Sequence, residues 1–187
     1  MTTLPFVSII IPVYNDSDRL KICLEALENQ NYPDNLYEII VIDNASKEPV
    51  KPITDLYERV ILIHEAQPGP DVARNTGLKV AKGKYFAFTD SDCIPYSDWL
   101  SKGIQKLLEH PEAGLVGGRV DVFPQDEKSL TWVEYYESVF AFPTKLNITA
   151  HHFMPTCNMF TTRAVFDKVG VFDPDLKTPG DEEWGQR

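Results

Sequence analysis

The chain has 187 residues, 43% hydrophobic and 25% charged, a composition ordinary for one globular domain with a buried core. Eighteen Lys and Arg side chains against 28 Asp and Glu side chains give a net charge of −10. This acidic balance, with no basic stripe in the sequence, argues against a protein that binds nucleic acid by neutralising phosphates.

The three cysteines, Cys23, Cys93 and Cys157, are odd in number and widely spaced. This pattern argues against a disulfide scaffold or a zinc site and predicts a reducing compartment. The N-terminal residues lack the basic and apolar regions of a signal peptide, and no apolar run approaches the roughly 20 residues that span a bilayer. We therefore expect a cytoplasmic protein without a transmembrane segment.

Apolar runs at regular intervals predict the strands of an α/β fold, because segments with helical spacing separate them. A fifth strand is expected within residues 114–123. The alternation predicts right-handed βαβ units and a mostly parallel central sheet. The four clearest runs are residues 7–12 (VSIIIP), 38–43 (EIIVID), 60–64 (VILIH) and 85–90 (YFAFTD).

Helices are predicted between these strands from apolar residues three and four positions apart. The first has Asp16 or Ser17 as its N-cap, a short one opens at Pro52, and a longer one stops near Gly83. Their predicted positions are residues 20–27, 52–57, 71–82, 100–108 and 163–169, the last ended by Gly170.

The alternation of predicted strands and helices stops after about residue 124. Residues 130–142 are aromatic-rich and predicted to be helical, whereas residues 151–161 are expected to be irregular or extended. We expect one domain over residues 1–187, with a first half at 1–123 and a second half at 124–187 packed on the same core. Five aromatic side chains of the second half are predicted to belong to that core: Trp132, Tyr135, Tyr136, Phe140 and Phe142.

The most informative motif is Asp90-Ser91-Asp92, which follows directly on the apolar residues 85–89 of the fourth strand. In a parallel sheet, ligands collect beyond the carboxyl ends of the strands. Two carboxylates one residue apart at such an end can share a hard divalent cation, which in turn can hold a diphosphate. The motif is common in solvated turns, so it indicates a ligand site only because other strands of the sheet also end in polar groups.

Polar groups also follow the first two strands. Pro12, Tyr14 and Asn15 form either a simple turn or a wall beside a nucleobase and ribose. Asp43 closes the second strand, where it either makes an Asx turn or accepts a hydrogen bond from a nucleobase N–H. Position alone leaves both interpretations open.

Two later segments carry charged groups with a structural and a functional interpretation. Asp71 could cap its helix and Gly77 could permit close packing, whereas Arg74 on the same helix could brace phosphates or the Asp-x-Asp loop. Asp181, Glu182 and Glu183 either favour a helix start through the macrodipole or supply a catalytic base.

Together these segments resemble family 2 glycosyltransferases with the GT-A fold. The segments that carry the resemblance run in the family's order: VSIIIPVYN, IIVIDNAS, GPDVARNTG, FTDSDC, CNMFTTRAVFDKVGVFD and GDEEWGQR. The resemblance covers residues 7–187 and implies a three-layer α/β/α sandwich. It also implies that the family continues beyond position 187, so that the second half would be incomplete and Trp184 would have little to pack against.

The resemblance further implies roles for individual residues. The donor, most simply a UDP-sugar, would contact Pro12, Tyr14, Asn15, Asp43, Arg74, Asp90 and Ser91. Mg²⁺ or Mn²⁺ would lie on Asp92, with Asp90 beside it. Asp181 would be the general base of an inverting transfer, with Glu182 or Glu183 as alternatives, and Asn158 and Trp184 would border the acceptor.

The acceptor implied by the resemblance is a hydroxyl of a cell-surface glycan or a lipid-linked glycan, used at the inner face of a membrane with peripheral attachment at most. Two other functions compete with this one. A sugar nucleotidyltransferase would open with a Gly-rich loop, where this chain has Pro-Val-Tyr-Asn, and a nucleotide-sugar-binding module would lack turnover. A P-loop NTPase is excluded because its Gly- and Lys-containing motif is absent from the sequence.

Overall fold

The computed structural model describes residues 4–124, 129–176 and 180–187. These residues form a six-stranded sheet in the order β3-β2-β1-β4-β6-β5. The first four strands in chain order are parallel, and β6 runs antiparallel to both of its neighbours. The strands are β1 (Val7–Val13), β2 (Tyr37–Asp43), β3 (Val60–His64), β4 (Tyr85–Phe88), β5 (Leu115–Gly117) and β6 (Met159–Thr162).

Helices connect these strands, and two 3₁₀ turns, Asp34–Leu36 and Thr156–Asn158, precede β2 and β6. Their bounds are α1 (Ser17–Glu28), α2 (Lys51–Thr54), α3 (Pro70–Val80), α4 (Trp99–Glu109), α5 (Trp132–Phe140), α6 (Thr144–His151), α7 (Arg163–Val169) and α8 (Gly180–Gln186). The predicted α/β class is confirmed, although α6 was not foreseen.

Both faces of the sheet are covered, because alternate residues of each strand point to opposite sides. Ile9 and Ile11 of β1 belong to a core cluster that includes α1 and α4, whereas Ile10 belongs to one that includes α3 and α7. All three isoleucines are fully buried. The predicted three-layer sandwich is therefore present, with the middle of β1 at its centre.

Several predicted bounds differ from the observed ones. The strand β4 ends at Phe88, so Asp90 lies in the turn beyond it. The helix α3 begins at Pro70 with Gly69 as its N-cap, and the side chain of Asp71 is not a cap. The helix also ends at Val80, before Gly83, because Ala81 already has an extended backbone. The Gly83 N–H donates to the hydroxyl of Ser8 at 2.8 Å.

The predicted aromatic core of the second half is wrong. All five aromatic side chains are exposed, from 38% for Phe142 to 88% for Trp132. The helix α5 begins with a capping box between Thr131 and Glu134, so local contacts define its start, and it buries none of its own residues. Spacing along a helix predicts an apolar face but does not say which surface covers it.

The expectation that Trp184 lacks packing partners is also wrong. Its side chain is 2% exposed, and its ring lies 4.6 Å from that of Phe166 and 5.4 Å from that of Phe172, centroid to centroid. Its indole N–H donates to the carbonyl of Gly170 at 2.8 Å. The helix α8 is therefore anchored to the same core as α7.

Candidate functional site

The carboxyl ends of the four parallel strands form one edge of the sheet. The chain proceeds from β1 to β2 and β3 on one side and then crosses to β4 on the other, so the strand order reverses between β1 and β4. Ligands of open α/β sheets bind at such a reversal. Asp43 ends β2 and Asp90 follows β4, and with β1 between them these residues lie about two strand spacings, roughly 10 Å, apart.

The Asp-x-Asp segment is a tight turn beyond β4. The N–H of Cys93 donates to the Asp90 carbonyl at 3.1 Å, which closes the turn over Ser91 and Asp92. The Asp90 side chain is 32% exposed and that of Asp92 is 49% exposed. Both carboxylates are therefore accessible at the strand-end edge, as the sequence predicted.

Arg74 joins this turn to the helix α3. Its guanidinium donates to Asp90 Oδ1 at 2.7 Å and to Asp71 Oδ1 at 3.0 Å, while its side chain is only 8% exposed. A planar guanidinium suits this task because it can present separate N–H groups to two carboxylates. Arg74 therefore braces the Asp-x-Asp loop, one of the two roles considered from the sequence.

The burial of this network changes the acidity of its members. Burial raises the pKa of Asp71, Arg74 opposes that rise, and the nearby carboxylates of Asp181 and Asp90 add to it. Burial lowers the pKa of Arg74, but its two carboxylate partners outweigh burial, so the net shift is upward. Arg74 thus stays charged although it is buried.

Two buried polar atoms beside these Asp71–Arg74–Asp90 contacts have no hydrogen-bond partner within the described residues. They are Arg74 Nε and Thr89 Oγ1, the latter one residue before Asp90. Unpaired buried polar groups carry a free-energy cost and are rare in native structures. Their position beside the turn is consistent with a segment arranged for binding rather than for stability alone.

A second set of contacts holds the turn from the side of α1. Ser91 donates to Asp16 Oδ2 at 3.1 Å, and Arg19 donates to Asp16 Oδ1 at 2.7 Å. Arg19 also lies 3.6 Å from Asp92 Oδ2. Asp16 occupies the predicted N-cap position of α1, yet its carboxylate makes no cap bond because these two residues engage it. Sequence reasoning missed the roles of Asp16 and Arg19.

Asp43 makes the turn contact that was one of the two interpretations of its sequence position. Its Oδ1 accepts from the N–H of Ser46 at 3.0 Å, which is a turn-type bond. Its Oδ2 lies 3.4 Å from His64 Nδ1, at the end of the adjacent strand β3. The side chain remains 16% exposed, so one edge of this carboxylate faces the strand-end surface.

The loop after β1 is linked to the loop after β2. Asn15 adopts a φ of 50°, its N–H donates to Ser46 Oγ at 2.9 Å, and its side chain accepts from the N–H of Lys47 at 2.7 Å. Tyr14 is 57% exposed, and Pro12 is partly buried beside it. An exposed tyrosine on a fixed loop is suited to contact a ligand.

Asn44 is a buried connector that sequence reasoning missed. Its N–H donates to the Val13 carbonyl at 2.9 Å, and its side-chain amide donates to the Gln67 carbonyl at 2.7 Å. Its side-chain oxygen accepts from the N–H of Gly69 at 2.8 Å. Asn44 therefore fixes the ends of β1 and β2 to the start of α3. Its signal in the sequence was only its position directly after Asp43.

Asn158 lies at the same edge, because β6 begins where β4 ends and pairs Met159 with Phe88. Its Oδ1 accepts from the indole N–H of Trp99 at 2.8 Å, and its Nδ2 donates to the Arg119 carbonyl at 3.0 Å. The side chain is buried. These contacts give Asn158 a positioning role for its neighbours in addition to any acceptor contact.

The three acids of α8 have different surroundings. Asp181 lies near Asp71, because Gly180 packs so closely on Asp71 that a β-carbon there would overlap its carboxylate. Glu182 accepts from Gln186 at 3.2 Å, and Glu183 pairs with Arg187 at 2.9 Å, both along the helix. Only Asp181 is thereby placed next to the Asp71–Arg74–Asp90 network. The neighbouring Trp184 is buried, so its indole does not lie on the protein surface.

The carboxylates at this edge could hold a divalent cation only together with other ligands, namely water and substrate phosphates. No group of three or more His, Cys, Asp or Glu residues within the described ranges could hold a metal by itself. Mg²⁺ characteristically takes one or two carboxylates and completes its shell with water and substrate phosphates. The exposed carboxylate of Asp92, with Asp90 beside it, meets that requirement.

The family model described as glycosyl transferase family 2 matches residues 8–170. Glycosyltransferase AglE of Haloferax volcanii is 37% identical over 192 residues, which cover all of this chain and 62% of AglE. Asp181 lies outside the range that the family model matches but inside the range aligned with AglE.

Solved structures agree on the fold. A mannosyltransferase of Pyrobaculum calidifontis, in complex with GDP-Man and Mn²⁺, matches with a TM-score of 0.76 and 24% identity, over 98% of this chain and 51% of that one. S. aureus TarS in complex with UDP-GlcNAc matches with a TM-score of 0.69 and 21% identity, over 96% of this chain and 52% of that one. The chain spans about half the length of these structures. In the part of the chain that the structure describes, no helix has the length and apolar character needed to cross a bilayer.

Proposed function

Because the chain belongs to glycosyl transferase family 2, we propose that it binds a nucleoside diphosphate sugar at the strand-end edge and transfers the sugar to a hydroxyl acceptor. One observation carries this proposal. The contacts from Asp90 through Arg74 to Asp71 join the proposed donor site to the start of α8, which carries the candidate base.

The donor would lie along the edge from β2 to β4. Asp43 would accept a hydrogen bond from the nucleobase, and Pro12, Tyr14 and Asn15 would form the wall beside the base and ribose. The diphosphate would then lie at the turn of Asp90, Ser91 and Asp92, about two strands away. UDP is the nucleotide that we propose, and the GDP-Man in the Pyrobaculum structure makes GDP the necessary comparison.

Asp92, with Asp90 beside it, would hold Mg²⁺ or Mn²⁺. When bound, such a cation supplies positive charge that offsets the diphosphate. The protein's own contribution is the orientation of the turn. Arg74 fixes Asp90 from beneath, and Asp16 fixes Ser91 from the side of α1. Because the chain has a net charge of −10, it needs the positive charge of such a cation to bind a dianionic diphosphate.

Transfer would occur by a single displacement with inversion. The acceptor oxygen bonds to the anomeric carbon as the bond from that carbon to the diphosphate oxygen breaks, and Asp181 takes the acceptor proton. Asp181 is preferred to Glu182 and Glu183 because it alone of the three adjoins the network that reaches the donor turn (Asp90, Ser91 and Asp92). A cell-surface or lipid-linked glycan at the inner face of a membrane is the proposed acceptor, and Asn158 lies at the corresponding edge.

The test combines binding with turnover. Calorimetry would measure the binding of UDP, GDP and TDP with and without Mn²⁺, and mass spectrometry would follow transfer or hydrolysis of the matching nucleotide sugars. We expect Mn²⁺-dependent binding of UDP and release of UDP from its sugar. Binding without any sugar release would indicate a binding module, and the absence of nucleotide binding under all conditions would overturn the proposal.

A further inference from the structure

The three cysteines, far apart in the sequence, converge on one residue of the turn. Cys23 lies on α1, and its thiol donates to the carbonyl of Asp90 at 3.6 Å. The N–H of Cys93 donates to the same carbonyl at 3.1 Å. Cys157 lies two residues before Met159, the partner of Phe88, just as Asp90 lies two residues beyond Phe88. The antiparallel register of β4 and β6 thus brings Cys157 beside Asp90.

Cys93 and Cys157 are neighbours across this register, and both side chains are partly exposed. Their interaction lowers the pKa of the Cys93 thiol and raises that of the Cys157 thiol. Cys23, by contrast, is fully buried. All three are free thiols. A disulfide requires two thiols brought together from separate segments, which is the arrangement of Cys93 and Cys157.

The Cys93 thiol also contacts the proposed metal ligand. Its sulfur lies 3.8 Å from Asp92 Oδ1, to which it donates. A disulfide sulfur has no hydrogen to donate, so oxidation removes this hydrogen bond. The disulfide would also link the turn of residues 90–93 covalently to the segment before β6, so that the turn could no longer move independently of that segment.

We propose that Cys93 and Cys157 form a peroxide-sensitive modification site whose disulfide disables the adjacent donor-binding turn. Hydrogen peroxide oxidises one thiol to a sulfenic acid and releases one water. The second thiol attacks that sulfur, the S–S bond forms, and the hydroxyl leaves with the thiol proton as a second water. Two thiols and one peroxide thus give one disulfide and two waters. The effect on binding rests on the proposed function, whereas disulfide formation does not.

The experiment has two independent readouts. Protein treated with a small excess of hydrogen peroxide, followed by catalase, would be alkylated and mapped by mass spectrometry without reduction. We expect the peptides of Cys93 and Cys157 to be linked, with the mass of two hydrogens lost, and Cys23 to remain a thiol. Binding of UDP with Mn²⁺ would then be measured by calorimetry, and we expect it to weaken about tenfold or more and to recover with dithiothreitol.

Two variants provide matched controls. Cys157→Ser cannot form the bridge, and its UDP binding should resist peroxide. Cys23→Ala removes the buried thiol, and it should still form the bridge and lose binding. Absence of the linked peptides in the wild-type protein, or linkage with unchanged UDP affinity, would overturn the inference. Reduced protein that forms the bridge on oxidation but never binds a nucleotide would instead count against the proposed function.

Discussion

The buried guanidinium of Arg74 holds the carboxylate of Asp90 through a 2.7 Å hydrogen bond. Because the same guanidinium also reaches Asp71, one cation neutralises acids on either side of it, on α3 and beyond β4. A charged hydrogen bond in a site of low exposure is stronger than one at the surface, and losing one partner leaves the others unpaired. The shape of the donor turn therefore depends on a residue that lies beneath it.

Replacing Arg74 by Met should destabilise the protein by about 3 kcal/mol or more, because two acids would lose their shared cation. Urea unfolding would measure the free energy of unfolding. Lys51→Met is the control, since Lys51 forms an exposed pair with Asp55 and its loss should cost within about 0.5 kcal/mol. Equal costs for the two variants would contradict a structural role for the Arg74 network.

Asp181→Asn should retain UDP and Mn²⁺ binding and lose roughly 100-fold or more in transfer rate, because an amide cannot accept the acceptor proton. Glu182→Gln and Glu183→Gln are the controls, and both should keep most of the rate. Single-turnover transfer with a saturating donor would measure the effect. If Glu182→Gln or Glu183→Gln loses the rate and Asp181→Asn does not, the base is reassigned within α8.

Gly180→Ala should cost about 1–3 kcal/mol in the free energy of unfolding, because the new β-carbon would overlap the Asp71 carboxylate and push α8 away. Transfer should fall with it, since α8 carries Asp181. Gly114→Ala is a suitable control because nothing lies within 4 Å of its added β-carbon. Thermal unfolding and transfer rates would be compared for both variants, and an unaffected Gly180→Ala would exclude this close packing.

Asp92→Asn should abolish the Mn²⁺-dependent part of UDP binding, because a neutral amide is a poor replacement for a carboxylate ligand. Asp55→Asn is the control, because it neutralises a carboxylate of the exposed Lys51–Asp55 pair, which does not contact the turn. An exposed pair of this kind contributes about 0–1 kcal/mol, so Asp55→Asn should keep stability and Mn²⁺ dependence. Calorimetry with and without Mn²⁺ would separate the two variants, and Mn²⁺-dependent binding by Asp92→Asn would move the metal site elsewhere.

Asp71 should make stability depend on pH in a distinctive direction. Burial raises its pKa above the ordinary value of 3.8, so the folded state keeps the proton to a higher pH than the unfolded state does. As pH rises from about 3.8 through the raised pKa, the wild-type protein should lose free energy of unfolding relative to Asp71→Asn, which does not titrate there. Urea unfolding of both proteins across this range would measure the difference, and a wild-type stability that rises with pH relative to Asp71→Asn would contradict the raised pKa.

The positions of the candidate acids could be predicted from the sequence because they follow from strand periodicity. The apolar runs that end at Asp43 and before Asp90 had to become parallel strands once helical segments separated them, and parallel strands end at the same edge. The same logic placed the exposed loop of Tyr14 at that edge. It could not identify the contacts of Asp16, because its carboxylate reaches Ser91, which lies 75 positions along the chain.

The sequence by itself determined the α/β layers and the row of acids at one edge, since both depend on short-range patterns of apolar and charged residues. The tertiary structure decided which side chains contact each other. Packing buried Trp184 and left the aromatic face of α5 exposed, and the register of β4 against β6 brought Cys157 to Cys93. Such contacts depend on which surfaces meet when distant segments pack, and the spacing of residues along a single segment does not contain that information.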